Sequence, residues 1–326
     1  MNQRRGSGLP AWVVRKVAGT VLVLLGTSLV LFVVARLAPG DAAVSLGLLS
    51  PDQAGPGAEL RRQLGLDAPW IVQYGRWLAG VVRGDFGTSA ALQMGRPVAE
   101  LLWPAVRRSL SLTAAAVSLS AAVALGLALL RRARPFSRRL AVADAAAHLL
   151  SAVPVFLFAY ALVAGGNAVV AWGVGRGAWP APSWFPLPHR DSWVPWFLAV
   201  SVLAVGDGFF LDLYQRFRSE LDHAGSGEHL VGARLLGLSV AAVVTRGFLP
   251  GAVSHLSRRT SFALGSLVVL ESVLGWPGLG WLAWRAAAER DLPVLLGVAL
   301  ISALVVRLAV LAADAAWYAA DPRSRT

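Results

Sequence analysis

Long apolar runs bounded by arginines constrain this chain more than any other feature of its sequence. Residues 17–35 contain no charged side chain, and neither do residues 109–130. At about 1.5 Å per residue, each run in helical form matches the ~30 Å hydrocarbon core of a bilayer. Hydrophobic residues make up 56% of the chain and charged residues 15%, against about a quarter in soluble domains. The chain is therefore predicted to be an all-α polytopic membrane protein.

The arginines predict on which side of the membrane each loop lies. The formal net charge is +12, and Lys16 is the only lysine. A cluster of arginines in residues 131–139 forms a short basic loop directly after the second apolar run. Short cytoplasmic loops carry such an excess of positive charge, whereas long external loops largely escape the rule. This pattern predicts six transmembrane helices with cytoplasmic N- and C-termini, and it explains the basic charge without a nucleic-acid partner.

The first apolar run is interpreted as a retained span. A signal peptide is the alternative, but its apolar core would be shorter, and residues 36–39 (Arg-Leu-Ala-Pro) make a poor cleavage site. The predicted organisation has three parts: residues 1–37 for the N-terminus and first span, 38–108 for an external loop region, and 109–326 for the core transmembrane domain. Within the loop region, residues 71–82 repeat apolar side chains at helical spacing, which predicts an amphipathic helix at the membrane surface.

Four later spans are predicted: within 140–174, from 193 to 213, after Pro250, and from 290 to about 318. Several of them contain charged residues. Asp144 and His148 are either a polar pair facing the bundle interior or, as favoured here, interfacial residues.

Four charged positions of the last two spans are candidates for lining a path. Arg258 and Arg259 interrupt the fifth span, where they either snorkel to the inner surface or line a watery path. Arg307 and Asp314 lie on one face of the last helix, where they can meet polar partners across the bundle.

A segment of mixed polarity separates the fourth and fifth apolar runs. Its small residues end at a glycine, and a Leu-Pro follows, which predicts two short helices and a turn ahead of a span that begins at proline. The segment is either an ordinary cytoplasmic loop or a surface on which a partner docks. The positions of interest are Gly232, Ala233, Arg234, Gly237, Leu249 and Pro250.

Residues 271–280 form a second stretch rich in turn residues. They read Glu-Ser-Val-Leu-Gly-Trp-Pro-Gly-Leu-Gly, and their glycines and proline predict a turn with a tryptophan suited to the outer interface. The candidate positions of this outer-face turn are Glu271, Gly275, Trp276, Pro277, Gly278 and Gly280.

These stretches resemble the permease subunits of ABC importers, in the dipeptide/oligopeptide/nickel branch. Residues 271–280 are close to the Glu-x-Val-Phe-Gly-Trp-Pro-Gly-Leu-Gly of that branch, and residues 39–98 follow the order of motifs in its external loop. The segment 225–250 keeps the spacing of the family's cytoplasmic coupling motif. Gly232 stands where that motif has its glutamate, and Arg234 stands where it has its second alanine.

The resemblance implies a type I ABC importer permease in the cytoplasmic (inner) membrane, forming the translocation path for peptides or related small solutes. Segment 225–250 would contact the ATPase, and 271–280 would lie at the outer face. The implied partners are a second homologous permease, two ATP-binding subunits, an external substrate-binding protein and the lipid membrane. ATP and Mg²⁺ would bind the partner ATPases, because with Lys16 as its sole lysine this chain has no Walker A motif. No cofactor, metal site or catalytic constellation is expected in the chain itself.

Two other functions stay open at the level of sequence. An ATP-independent secondary transporter or channel would use charged membrane residues as an ion path, namely Asp207, Asp212, Arg307 and Asp314. A non-transporting membrane scaffold would keep the permease fold while its coupling segment diverges. The identity of the solute, whether dipeptide, oligopeptide, nickel or another, is not encoded in any of these motifs.

Overall fold

A computed structural model of the chain describes residues 9–37, 68–183, 185–187, 194–224 and 266–320. These ranges are almost wholly helical. The helices are α1 Leu9–Leu37, α2 Trp70–Val82, α3 Val98–Ala133, α4 Arg138–Ser151, α5 Val155–Gly175, α6 Val194–Val205, α7 Phe209–Ala224, α8 Leu279–Ala288 and α9 Leu292–Ala320. A short 3-10 turn, Gly206–Gly208, joins α6 to α7, and residues 266–273 are also helical.

The described helices include 4 that are long and apolar enough to cross a membrane, located in α1, α3, α5 and α9. The bent pair α6 and α7, with an angle of 51° between them, makes up to 5 if it counts as one span. The span predicted after Pro250 begins outside the described residues. The structure therefore supports a multi-pass helical protein, and the count of six spans stays a prediction.

The ranges predicted for the third and fourth spans each contain a break between two helices; the third range still contains one unbroken span candidate, Val155–Gly175. The stretch 140–174 falls on α4 and α5, which are separated at Pro154. Proline has no backbone N–H and disfavours helical geometry in the residue before it, so α5 begins directly after this residue. The stretch 193–213 is broken at 206–208, where Gly208 has a φ of +70° that side chains with a Cβ rarely adopt.

The chain divides into two compact units. The first unit contains Ser111–Trp276 together with the chain ends, and the second contains Val13–Leu110 and Pro277–Arg307. Each unit has its own apolar core. In the first unit, Leu213 and Leu270 are fully buried, and in the second unit Leu102 is fully buried.

In the second unit, α2 lies along α1 and runs in the opposite direction. Arg36 near the end of α1 donates to Gln73 Oε1 over 2.7 Å. The hydroxyls of Ser28 and Tyr74 are 2.8 Å apart, and Phe32 meets the Tyr74 ring edge-on at a centroid distance of 5.4 Å. The apolar face of α2 predicted from the sequence thus packs against the first span.

Candidate functional site

Asp291 lies between α8 and α9, and its fully buried carboxylate forms hydrogen bonds with the loop that precedes α3. Its Oδ2 atom accepts hydrogen bonds from the Ser89 hydroxyl at 2.5 Å and from the backbone N–H groups of Ala91 at 3.0 Å and Leu92 at 2.9 Å. Its Oδ1 atom accepts from the N–H of Val294 at 3.3 Å. These residues are called the Asp291 clamp, because one side chain holds a loop and begins a helix.

The clamp favours the ionised form of its carboxyl group. Burial by itself would raise the pKa of Asp291, but the hydrogen bonds from Ser89, Leu92 and Ala91 outweigh that effect and lower the pKa. Ser89 is itself fully buried, and its Oγ also accepts from the N–H of Gln93 at 2.9 Å. The negative charge is therefore stabilised by neutral donors that hold residues 89–93 in place.

The loop that leads into the clamp is shaped by two glycines. Gly84 has a φ of +85° and Gly87 a φ of +80°, so the chain reverses tightly after α2. Between them, Asp85 Oδ1 accepts from the N–H of Gly87 at 2.9 Å. Phe86 is buried in the core of the second unit. The conformation of this loop therefore places Ser89 within hydrogen-bonding distance of Asp291.

A turn lies within residues 271–280, as their glycines and proline predict. Gly275 has a φ of +63°, and the N–H of Trp276 donates to the carbonyl of Glu271 at 2.9 Å. The Glu271 side chain is fully buried. The Trp276 ring packs against the core of the first unit, where its Nε1 is buried without a hydrogen-bond partner among the described residues.

The second half of this stretch begins α8. Gly278 is its N-cap residue, and the N–H of Leu279 donates to Ser109 Oγ of α3 at 2.8 Å. Arg108 donates to the carbonyl of Pro277 at 3.4 Å. Gly280 lies buried in the first turn of the helix. The role of these residues at the outer face stays a prediction.

Among the four charged candidates for a path, the structure describes two. Arg307 donates from its NH2 to Thr20 Oγ1 on α1 at 3.2 Å, while its buried Nε has no partner in the described ranges. Asp314 lies two turns further along α9 and is half-buried. Arg258 and Arg259 lie outside the described residues, and so do all six positions of the coupling segment, Gly232, Ala233, Arg234, Gly237, Leu249 and Pro250.

Asp144 on α4 faces the neighbouring helices of the first unit. Tyr214 of α7 donates to its Oδ1 at 2.7 Å, and Arg131 of α3 forms an ion pair with its Oδ2 at 3.3 Å. His148 does not pair with this carboxylate; its Nδ1 lies 2.7 Å from the Asp144 carbonyl, and its Nε2 lies 3.2 Å from Gln215 Nε2. We call the three residues Arg131, Asp144 and Tyr214 the Asp144 network.

A second arginine ties the end of α3 to the end of α7. Arg132 donates to the carbonyl of Leu221 and lies 3.8 Å from a carboxylate oxygen of Asp222. Cations at the C-terminal end of a helix satisfy carbonyl groups that have no partner within the helix. Arg132, one of the arginines of the predicted basic loop, therefore lies in the last turn of α3 and also has a packing role.

The sequence contains only a partial signal for these interactions. An aspartate directly before Leu-Pro is typical of the start of a helix, and this signal marks Asp291. Nothing in the chain indicates that its partner is Ser89, which is separated from it by 202 positions. The same holds for Tyr214 and Asp144, separated by 70 positions.

Comparison with known proteins identifies the kind of chain that carries these features. A family model described as "Binding-protein-dependent transport system inner membrane component" matches residues 120–326. A second model, described as "Binding-prot-dependent transport system membrane comp, N-term", matches residues 10–100. Together, the two models cover the helices described above except Leu9 of α1 and residues 101–119 of α3.

Individual relatives align over nearly their whole length. The oligopeptide transport system permease protein AppB of Bacillus subtilis (strain 168) is 29% identical over 321 residues, which cover 97% of this chain and 99% of that protein. A putative peptide transport system permease protein of Brucella abortus (strain 2308) is 32% identical, with the same two coverages. The glutathione transport system permease protein GsiC of Salmonella paratyphi A (strain ATCC 9150 / SARB42) is 30% identical, with 96% and 98% covered.

Proposed function

Because the chain belongs to the family of inner membrane components of binding-protein-dependent transport systems, we propose that it imports peptides or related small solutes. It is a permease component of an ABC transport system, embedded in the inner membrane by several apolar helices. The observation that carries the proposal is the alignment with peptide and glutathione permeases over almost the full length of both chains.

The proposed topology has six spans and both termini in the cytoplasm. Its support is the basic stretch 131–139, which runs from the last turn of α3 to the first residues of α4 and fits the cytoplasmic side. The loop before α3 is then external, and so is the Asp291 clamp. Under this topology, residues 1–37, 38–108 and 109–326 take the three roles assigned from the sequence.

The proposed energy source is a pair of ATPase subunits that bind ATP and Mg²⁺. This chain would contribute no catalytic residue to hydrolysis and would receive the motion of those subunits through residues 225–250. Gly237 of this segment is proposed as a contact with the ATPase because a glycine allows close approach of two backbones. From there, the motion has a route into α7, whose end is held to α3 by Arg132.

The proposed external partner is a substrate-binding protein that releases solute at the outer face. A docking surface has to hold its shape while the helices below it change position. The Asp291 clamp suits that requirement, because its carboxylate holds residues 89–92 and α9 together with four hydrogen bonds. A second homologous permease would complete the path.

The test is purification of the tagged chain with its partners, followed by ATP hydrolysis and solute uptake in proteoliposomes. We expect a second permease and ATPase subunits to co-purify, and uptake of a radiolabelled dipeptide to require ATP. Gly237→Trp should abolish ATP-driven uptake, because the bulky ring prevents close contact between this segment and the ATPase. Gly225→Trp, in the same segment but outside the motif, is the matched control and should keep uptake.

Two results would overturn the proposal. A chain that purifies without ATPase subunits and still moves solute down an ion gradient would be a secondary transporter. A complex that hydrolyses ATP but transports no dipeptide, tripeptide or glutathione would support the proposed assembly and refute the proposed class of solute.

A further inference from the structure

Two arginines of the basic stretch 131–139 are used within the protein itself. Arg131 forms an ion pair with Asp144 and donates to the carbonyl of Ser137 at 3.2 Å. Arg132 donates to the carbonyl of Leu221 at the end of α7. Both side chains therefore hold helices of the first unit together.

The other three arginines of this stretch have no such use. Arg134, Arg138 and Arg139 are exposed, and their side chains form no hydrogen bond or ion pair with the residues that the structure describes. Cations in the first turn of a helix oppose its dipole, so Arg138 and Arg139 do not stabilise α4. Their charge is directed to the surroundings of the protein.

A tight turn between these arginines presents an aromatic ring. The N–H of Ser137 donates to the carbonyl of Arg134 at 3.2 Å, which closes a turn over residues 134–137. Pro135 occupies the second position, where the fixed φ of proline suits a turn. Phe136 at the third position is 97% exposed, so its ring contributes almost nothing to the apolar core. We call residues 134–139 the Phe136 turn.

The Phe136 turn lies just outside the hydrocarbon, judged by the helix that precedes it. The uncharged run 109–130 of α3 ends directly before Arg131, whose ion pair with Asp144 holds that residue of α4 at the same level. Arg138 precedes Asp144 by six positions. It therefore lies at most about 9 Å further out at 1.5 Å per residue. The headgroups add about 5–8 Å on each side of the hydrocarbon, so the side chains of the turn reach them.

Three cations and an exposed aromatic ring in the headgroup layer fit an anionic lipid. Arginine binds phosphate with paired hydrogen bonds, and basic residues beside anionic lipid are attracted by its surface potential. Aromatic side chains favour the same layer. We propose that Arg134, Arg138, Arg139 and Phe136 form a binding site for the headgroups of anionic phospholipids. Such a site holds the end of α3 at the surface of the bilayer.

Photocrosslinking at position 136 identifies what lies against the turn. Benzoylphenylalanine replaces Phe136 in the chain, which is purified with its partners and placed in nanodiscs of phosphatidylglycerol and phosphatidylcholine in equal amounts. The matched control carries the same photoreactive residue at Phe156, which is 44% exposed on the span candidate α5. Adducts at 136 should contain phosphatidylglycerol in roughly threefold excess or more, because the turn attracts negative charge. Adducts at 156 should contain both lipids about equally.

Two triple variants test the contribution of the arginines. Arg134→Gln, Arg138→Gln and Arg139→Gln together should remove the excess of phosphatidylglycerol at 136. The three changes to lysine, Arg134→Lys, Arg138→Lys and Arg139→Lys, keep the charge and should keep most of the excess. Neither variant should lower the thermal unfolding midpoint, because the replaced side chains bind no other described residue.

Each of four results would overturn the inference. Adducts between position 136 and an ATPase subunit or a second permease would mean that a protein covers the turn. An absence of adducts at 136, with adducts at 156, would mean that the turn projects into water. Equal amounts of the two lipids at 136 would exclude selection of anionic lipid. An excess that survives the three changes to glutamine would exclude the arginines as its cause.

The inference does not depend on the proposed function. Lipid adducts at 136 can be counted in a preparation that takes up no dipeptide. Conversely, ATP-dependent uptake without lipid selection at 136 would support the proposed function and refute the lipid site.

Discussion

Two carboxylates, Asp144 in the first unit and Asp291 in the second, are stabilised by different means. Asp291 is fully buried and bound by a hydroxyl and three backbone N–H groups, with no cation among the partners described. Asp144 leaves 17% of its side chain exposed and is bound by the guanidinium of Arg131 and the hydroxyl of Tyr214. The Asp291 carboxylate holds backbone segments in place, whereas the Asp144 carboxylate connects side chains of three helices.

This difference predicts which of the two carboxylates can keep its partners while the helices around it move. Backbone donors cannot leave Asp291 without unfolding residues 91–92, so the Asp291 clamp is expected to stay closed while the transporter works. The partners of Asp144 are flexible side chains, which can shift or exchange while the helices stay intact. Motion between helices is therefore more compatible with the Asp144 network than with the Asp291 clamp.

The largest effect is expected for Asp291→Ala. The substitution leaves the Ser89 hydroxyl and several buried N–H groups without an acceptor, at about 1–3 kcal/mol for each unpaired donor. The thermal unfolding midpoint of the purified chain should fall, and the loop at 84–96 should become sensitive to protease. Glu289→Ala, an exposed change two positions away, is the control; equal effects of the two substitutions would contradict the distinct role of the clamp.

A double-mutant cycle on the Asp144 network should give a smaller effect. Arg131→Gln, Asp144→Asn and the double variant are expected to show a coupling energy of about 0.5–3 kcal/mol, because both side chains are largely buried. The same cycle on Arg132 and Asp222, whose side chains are 39% and 62% exposed, should give about 0–1 kcal/mol. Equal coupling in both pairs would show that burial does not set the strength of the network.

Acid should destabilise the chain through Asp291. Its pKa is lowered in the folded state, so its contribution to stability is complete above the ordinary aspartate value of about 3.9. That contribution is lost as the pH falls below this value through the folded pKa, because the unfolded chain then binds the proton more readily. Unfolding midpoints measured between pH 6 and pH 3 should fall more steeply for the native chain than for Asp291→Asn. Parallel slopes would refute this assignment.

The smallest effect is expected on the surface of α8. Arg285 and Glu289 form an ion pair one turn apart, with side chains 37% and 36% exposed. Glu289→Gln should change the free energy of unfolding by about 0.5 kcal/mol or less, since water and salt screen such a pair. A loss as large as that of Asp291→Ala would mean that exposure does not separate the two acidic residues.

The sequence by itself determined the class of this protein and the location of most of its helices. Hydropathy and charge act locally, so uncharged runs such as 17–35 and 109–130 predict α1 and α3 without knowledge of their neighbours. α3 nevertheless begins at Val98, well before its uncharged run, because residues 98–106 bury apolar side chains in the second unit. Within the predicted ranges 140–174 and 193–213, helices end near Pro154 and Gly208, since the backbone geometry of these residues interrupts a helix.

Only the tertiary structure decided which polar residues meet. Ser89 and Asp291 each belong to a motif that is visible in the sequence, yet their pairing depends on the packing of α3 and α9 within one unit. The same packing places α2 along α1, whereas its amphipathic pattern suits equally a membrane surface or a neighbouring helix. The physical reason is that a periodic pattern states which face of a helix is apolar, while the partner of that face depends on contacts between distant parts of the chain.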